Sequence, residues 1–153
     1  MAKYIFLVFV AILPITITSA KVPQKEDLEI HCLAANMYYE ARGESEKGIL
    51  AVALVTMNRV KDNLFPDSVC EVVFQKVKKT CQFSWVCKKP KVNFEEEKFQ
   101  KTLNLAKKVY NGQVKDFTRG ATHFHNATIQ PNWASAKVKT LQIGNHIFYR
   151  REK

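Results

Sequence analysis

The chain has 153 residues and a formal net charge of +10, and 46% of its residues are hydrophobic and 11% aromatic. This length indicates one domain, and this apolar content excludes a disordered chain except at its ends. The positive charge favours an anionic partner or simply keeps the protein soluble, but the lysines are scattered and show no helix-turn-helix or RNA-binding signature, so we expect no nucleic acid partner.

The first predicted element is a signal peptide over residues 1–20. Lys3 gives a positively charged start, residues 4–17 are almost all apolar, and residues 18–20 supply the small side chains that precede a cleavage site. Cleavage lowers the net charge from +10 to +9, because Lys3 is the only charged residue removed. We therefore expect a secreted or periplasmic protein whose mature domain is residues 21–153, with membrane attachment only if the segment stays uncleaved.

Three helices are predicted next along the chain. The first covers about Asp27–Arg42, where apolar residues recur at helical spacing. The second covers about Glu46–Val60 behind a capping Ser45, and it is apolar nearly all round, which predicts a buried central helix. The third covers about Phe94–Asn111, with Asn93 as its predicted cap.

Between the second and third helices, residues 63–91 are predicted to be irregular, except that residues 69–74 form a short helix or a strand.

The chain has four cysteines. In an exported chain, an even number of cysteines favours disulfides, and no Cys-x-x-Cys spacing of a zinc site occurs. Three pairings of the four cysteines stay open. The four are Cys32, Cys70, Cys81 and Cys87.

The C-terminal part has the period of β-strands. Residues 121–126 alternate, which places His123 and His125 on one face of a predicted strand. The sequence "LQIGNHIFYR" predicts two short strands around a Gly144–Asn145 turn. Helices followed by a small sheet predict an α+β domain that is mainly helical, with a small C-terminal β-hairpin or sheet.

The candidate catalytic residue is Glu40, in "NMYYEARGES". It lies three residues after Met37 and seven after Leu33, so it shares their inward-facing stripe. Asn36 is its neighbour one turn earlier. An acid held beside apolar side chains has a raised pKa, as a general acid requires near neutral pH. The alternative is a structural ion pair of Glu40 with Arg42 or another cation.

Two further stretches carry polar and aromatic side chains. In "CQFSWVC", residues 82, 84 and 85 provide an amide, a hydroxyl and an indole suited to a glycan groove; alternatively, the aromatics belong to the core. In "ATHFHNATIQPNWA", a His-x-His pair with Glu40 is a weak zinc signal. Histidines that form hydrogen bonds or contact substrate are favoured over this reading, so we expect no metal and no cofactor.

These stretches, in this order, resemble the SleB/CwlJ-type cell-wall hydrolases. The resemblance rests on "CLAANMYYEARGES", "GILAVALVTMNRV", "FPDSVCEVVFQ", "CQFSWVC", "GATHFHNATIQPNWA" and "IGNHIFYR", and it covers about residues 28–150. It implies a lysozyme-like fold similar to goose-type lysozymes and lytic transglycosylases. It also implies peptidoglycan glycan strands as the partner and substrate, and Glu40 as the catalytic acid.

The resemblance extends to the groove, since the "QFSW" stretch is similar to a groove-lining segment of resuscitation-promoting factors. The candidate substrate contacts are Asn36, Gln82, Ser84, Trp85, His123, His125 and Trp133. The expected reaction is cleavage of the bond between N-acetylmuramic acid and N-acetylglucosamine by a monomer.

The sequence offers no convincing second carboxylate, because Asp67 and Asp116 are in predicted loops and Glu44 lies past the helix end. A single acid favours a lytic transglycosylase over a hydrolytic muramidase. Two alternatives stay open. One is an N-acetylmuramoyl-L-alanine amidase that uses the histidines and zinc, and the other is a non-catalytic module that binds wall glycan.

Overall fold

The structure is a computed structural model that describes residues 24–91 and 93–152. The predicted signal peptide over residues 1–20 lies outside the described residues. Within the described part, no helix is both long and apolar enough to cross a membrane.

The two N-terminal helices pack against each other and are joined by a short loop. Helix α1 spans Lys25–Ala41 and α2 spans Glu46–Val60, which confirms the second prediction to the residue and the first to within two residues. The Ser45 hydroxyl accepts a hydrogen bond from the Gly48 amide (3.3 Å), so the predicted cap is present. As expected for a central helix, most of α2 is buried.

The stretch between residues 61 and 91 contains more regular structure than predicted. Helix α3 spans Val69–Phe74, strands β1 (Lys76–Val77) and β2 (Thr80–Cys81) form a small antiparallel hairpin, and α4 spans Ser84–Lys88. Residues 69–74 are thus the helix of the two predicted alternatives. The β1–β2 hairpin and α4 are too short to produce a readable hydrophobic period, which is why the sequence alone did not reveal them.

Two disulfides stabilise this region. Cys32 on α1 is bonded to Cys70 on α3, and Cys81 is bonded to Cys87 across the start of α4. The structure thus selects one of the three pairings that the sequence left open.

Helix α5 spans Glu97–Tyr110, so the predicted start at Phe94 and the predicted cap at Asn93 are wrong. The Asn93 side chain instead accepts a hydrogen bond from the Glu95 amide (3.1 Å) and forms a turn ahead of the helix.

The main core lies where α1, α2, α3 and α5 meet. Its largest fully buried side chains are Leu33, Met37, Val69, Val73 and Phe99.

A three-stranded antiparallel sheet completes the fold. Strands β3 (His123–Asn126), β4 (Val138–Ile143) and β5 (His146–Arg150) are arranged in the order β3-β5-β4, with a 3₁₀ helix at Asn132–Ala136. Strands β4 and β5 form the predicted hairpin, and Gly144 takes the left-handed conformation in its turn (φ 52°).

The sheet packs on the face of α2 opposite the main core. A second, smaller core joins the two layers, and it contains Ala51 and Val55 from α2 together with Ala121 and Phe148. The α+β prediction is therefore confirmed, and the end of α1 that carries Glu40 faces a cleft toward the sheet.

Candidate active site

Glu40 lies in the last turn of α1, directly after the buried residues Leu33 and Met37 of the same stripe. Its side chain lines the cleft and is largely shielded from solvent. This burial raises the pKa of the Glu40 carboxyl above its ordinary value of 4.5, and the positive charges of Arg59 and Lys88 partly oppose the effect. Glu40 therefore keeps its proton to a higher pH than an exposed glutamate does, which suits a general acid.

The cation that acts most strongly on Glu40 is not the one considered from the sequence. Arg42 donates a hydrogen bond to the Tyr38 hydroxyl (3.1 Å), and its guanidinium lies 5.0 Å from the centre of that ring. The predicted alternative of a Glu40–Arg42 ion pair is therefore wrong. The relevant cation is Arg59 on α2. The sequence feature that could have indicated Arg59 is its position inside a helix that is predicted to be buried on nearly all sides.

Arg59 is a fixed, buried positive charge, with 5% of its surface exposed. Its Nε donates to the Thr122 carbonyl (2.7 Å), and its guanidinium lies over the rings of Phe65 and Phe83. Burial lowers the pKa of Arg59 to about 10 and Glu40 opposes this, so the guanidinium stays protonated near neutral pH. It can therefore stabilise a Glu40 carboxylate formed by proton transfer.

One wall of the cleft comes from the segment around the Cys81–Cys87 disulfide. Gln82 and Ser84 line the cleft and are exposed. Trp85 also lines it and stacks on Tyr39, with ring centres 4.8 Å apart. Exposed amide and hydroxyl groups beside an indole can bind a sugar through hydrogen bonds and apolar contact.

Asn36 lies beneath this wall and is fully buried. Its Oδ1 accepts a hydrogen bond from Trp85 Nε1 (2.9 Å), and its Nδ2 donates to the Thr56 hydroxyl (3.2 Å). Asn36 does not line the cleft, which corrects the expectation that it contacts substrate directly. Asn36 instead fixes the orientation of the indole that lines the cleft.

The opposite wall comes from the sheet and the 3₁₀ helix. His125 lines the cleft beside Trp133, with their ring centres 5.6 Å apart. His125 Nδ1 donates to the Asn126 carbonyl (2.8 Å), because a carbonyl oxygen can only accept. Its Nε2 lies 3.0 Å from the Tyr149 hydroxyl, so hydrogen bonds at both ring nitrogens fix the orientation of His125.

His123 shares a strand face with His125, as predicted, but it does not belong to the lining of the cleft. Its Nδ1 pairs with the Thr122 hydroxyl (2.9 Å), and its ring lies against Phe65 and Trp133. Burial, followed by the charge of Lys137, lowers the pKa of His123 to about 4. The structure thus places His123 behind Trp133 as packing, which corrects the expectation of a substrate contact.

The structure adds cleft residues that the sequence did not single out as substrate contacts. The clearest is His146, the first residue after the β4–β5 turn, which lines the cleft with 7% of its surface exposed. Burial lowers the pKa of His146, and Glu44 partly opposes this. The others are Tyr39, Lys88, Phe124, Asn126, Ile129 and Pro131.

The cleft has a volume of about 560 Å³, and Glu40 is the only carboxylate among the described residues that line it. A slightly larger depression, of about 640 Å³, lies beside Arg119, Arg150 and Arg151 and does not include Glu40. We place the chemistry in the smaller cleft because it holds the shielded acid. Among the described residues, no three His, Cys, Asp or Glu side chains are grouped as metal ligands.

Comparison with known proteins identifies the family. Residues 43–149 match the Cell Wall Hydrolase family. The chain belongs to the cell wall hydrolase family. The matched range begins three residues after Glu40, so Glu40 itself lies outside the part of the chain that the family match covers.

This cell wall hydrolase is also similar to individual proteins. It is 33% identical over 123 residues to a spore cortex-lytic enzyme of Halalkalibacterium halodurans, covering 80% of this chain and 34% of that enzyme. The chain thus spans about a third of that relative's length.

Two solved structures share the fold. One is the catalytic domain of the Bacillus cereus SleB protein (TM-score 0.63, 29% identity, 80% of this chain and 89% of that one). The other is the catalytic domain of a germination-specific lytic transglycosylase, SleB from Bacillus anthracis (TM-score 0.66, 27% identity, 86% of this chain and 100% of that one). This likeness confirms the lysozyme-like fold that the sequence motifs implied.

Proposed function

We propose that the protein cleaves the bond between N-acetylmuramic acid and N-acetylglucosamine in peptidoglycan, as a lytic transglycosylase with Glu40 as its catalytic acid and base. The observation that carries the proposal is a single shielded carboxylate in a cleft with aromatic and amide walls. The similarity to a catalytic domain described as a lytic transglycosylase supports the same reaction.

In the first step, Glu40 donates its proton to the oxygen that links the two sugars. The bond between this oxygen and C1 of the muramic acid then breaks, and N-acetylglucosamine leaves with a free hydroxyl. Glu40 becomes a carboxylate, and the buried charge of Arg59 stabilises it.

In the second step, the C6 hydroxyl of the same muramic acid attacks C1, and Glu40 takes the proton from that hydroxyl. The product is a 1,6-anhydro ring, no water is consumed, and Glu40 is again protonated. One group thus serves first as acid and then as base, so no second carboxylate is required.

The positions of the other candidate carboxylates support this choice over a hydrolytic muramidase. Paired-carboxylate glycosidases place two acids within about 5–9.5 Å on either side of the scissile bond. The Glu44 carboxylate instead accepts a hydrogen bond from the Asn145 amide (3.3 Å), and Asp116 is held by Thr118 and Gly120. Neither Glu44 nor Asp116 lines the cleft.

The two walls give the glycan strand its contacts in this proposal. Gln82, Ser84 and Trp85 bind sugar from one side, and His125 and Trp133 bind from the other. We further propose that residues 1–20 direct export, so that the protein meets peptidoglycan outside the cytoplasmic membrane as a monomer.

The test is mass spectrometry of the muropeptides that the purified protein and its Glu40→Gln variant release from purified peptidoglycan. We expect anhydro-muropeptides from the wild type and a rate at least 100-fold lower from Glu40→Gln, since general acid–base catalysis contributes about 10²–10⁴-fold. Glu95→Gln is the matched control, because Glu95 is exposed and outside the cleft.

Other products of this experiment would indicate a different function. Reducing muramic acid ends would mean a muramidase with an unrecognised second acid. Free stem peptides, abolished by a metal chelator, would mean an amidase. Intact binding with no product from the wild type would mean a non-catalytic wall-binding module.

A further inference from the structure

Six lysines lie close together in the sequence, on the segment that also carries the cleft residues Gln82, Ser84 and Trp85. Between Gln75 and Asn93 the chain contains these six lysines and no acidic residue. We call this set the lysine rim. It consists of Lys76, Lys78, Lys79, Lys88, Lys89 and Lys91.

The lysine rim belongs to a compact, cross-linked piece of the fold. The first three lysines are on the β1–β2 hairpin, whose base is closed by a hydrogen bond from the Gln82 amide to the Gln75 carbonyl (3.0 Å). The Cys81–Cys87 disulfide ties this hairpin to α4, where the remaining lysines begin. The backbone that carries these lysines therefore keeps a fixed position relative to the cleft.

The charges of the lysine rim are free to bind a partner. All six side chains are exposed, and none is within ion-pair distance of a carboxylate among the described residues. Lys78 and Lys89 also take left-handed backbone conformations (φ 56° and 47°), which are uncommon for lysine. Lys89 is the C-cap of α4 and Lys78 lies in the turn of the β1–β2 hairpin, so both side chains project from points where the chain turns.

The lysine rim borders the proposed glycan site directly. Gln82, Ser84 and Lys88 line the cleft with Glu40. At the other end of the rim, the Lys91 carbonyl accepts a hydrogen bond from the hydroxyl of Tyr39, which also lines the cleft (3.1 Å). A polymer held in the cleft thus lies beside Lys88 and close to the segment that carries the rest of the rim.

We propose that the lysine rim binds the carboxylates of the peptides attached to the glycan strand in the cleft. This inference rests on the proposed function. Each muramic acid carries its peptide through a lactyl group, so a bound strand presents peptides at its edges. Lysines suit this partner, because a flexible side chain with a compact charge can reach carboxylates at variable positions. Substrate choice would then depend on the peptides as well as the sugars.

The test compares the triple variant Lys76→Gln/Lys78→Gln/Lys79→Gln with the wild type on two substrates. One is peptidoglycan treated with hydrofluoric acid to remove phosphate polymers, and the other is glycan strands stripped of peptides by an amidase. Binding is measured in the Glu40→Gln background, and cleavage is measured with Glu40 present.

On peptidoglycan that carries peptides, we expect the triple variant to bind roughly tenfold more weakly, about twofold for each exposed ion pair lost. The wild type should also lose affinity as salt rises, and the variant less so. On peptide-free strands, both proteins should bind and cleave equally. Lys107→Gln/Lys108→Gln/Lys115→Gln is the control, since it removes the same charge from exposed positions outside the cleft.

Three results would overturn the inference. Equal losses on both substrates would mean that the lysines bind sugar or support the hairpin. Untreated peptidoglycan is measured alongside, and a loss seen only on that material would mean that the ligand is a phosphate polymer. Equal losses in the control variant would mean a general charge effect. Failure of the wild type to cleave either substrate would instead reject the proposed function, which keeps the two failures distinct.

Discussion

At the scale of single residues, we expect the protonation of Glu40 to affect both stability and activity. Its pKa is raised by burial, so the folded state binds a proton more tightly than the unfolded state. Stability from this group is therefore present at low pH and is lost as pH rises from its unfolded pKa through its folded pKa. An enzyme that needs this proton should also lose activity as pH rises through the same range.

Glu40→Gln removes the charge that the fold holds unfavourably at neutral pH. We expect the variant to be more stable than the wild type at pH 7, by about 1 kcal/mol or roughly 3 °C in Tm for a chain of this size. Near pH 4 the gain should disappear, because Glu40 is then protonated. Differential scanning calorimetry at both pH values tests this, with Glu95→Gln as the control. An unchanged or lower Tm at pH 7 would contradict the burial of an unfavourable charge.

At this scale, the sequence predicted the position of a side chain correctly where a single helix or strand determines that position. Helical spacing placed Glu40 on the stripe of Met37, and both lie on that face of α1. It failed for Asn36, because the indole that covers this residue comes from Trp85, 49 positions later. It also failed for His123, since alternation gives the face of a strand but not what packs on that face.

At the scale of elements, the long helices were predictable and the disulfide-linked middle was not. The Ser45 cap and the apolar run of α2 act locally, so they can be read from the chain. The cysteine pairing depends on where α3 packs, which local patterns do not give. The two disulfides also differ in role, since Cys32–Cys70 joins two helices of the core and Cys81–Cys87 shapes a cleft wall.

Removing each disulfide should therefore have a different effect. Cys32→Ala/Cys70→Ala should lose about 4 kcal/mol of stability, and Cys81→Ala/Cys87→Ala about 2 kcal/mol, because their sequence separations are 38 and 6. Only the second pair encloses Gln82, Ser84 and Trp85, so only its removal should weaken binding to peptidoglycan. Urea unfolding and sedimentation with peptidoglycan measure the two effects. Weaker binding by the first variant alone, below its unfolding range, would contradict this assignment.

At the scale of the whole molecule, the cleft lies between two layers that must keep their spacing. Glu40 comes from the helical layer, and His125 and Trp133 come from the side of the sheet. Besides the apolar contacts of α2, the layers are joined by Asn58. Its Nδ2 lies 3.0–3.2 Å from oxygens of Asp116, Thr118 and Ala121, at the start of the chain that leads into β3.

The contact that Asn58 makes between the two layers can be tested, because its side-chain amide group faces only hydrogen-bond acceptors there. Asn58→Ala removes the donor and should cost about 1–3 kcal/mol of stability. Asn58→Asp should cost more at pH 7, since it places a second carboxylate against Asp116. Although burial favours the neutral form, hydrogen bonds from Thr118 and Gly120 help to hold the pKa of Asp116 below its ordinary value.

As pH falls, one acid of the carboxyl pair that Asn58→Asp creates with Asp116 takes up a proton and can again act as a donor, so the extra loss should shrink. Urea unfolding of the wild type, Asn58→Ala and Asn58→Asp at pH 7 and pH 4 measures this. Muropeptide release below the unfolding range then shows whether the joint also aligns the cleft walls. Equal stability of the two variants at pH 7 would mean that Asn58 does not hold the layers through these oxygens.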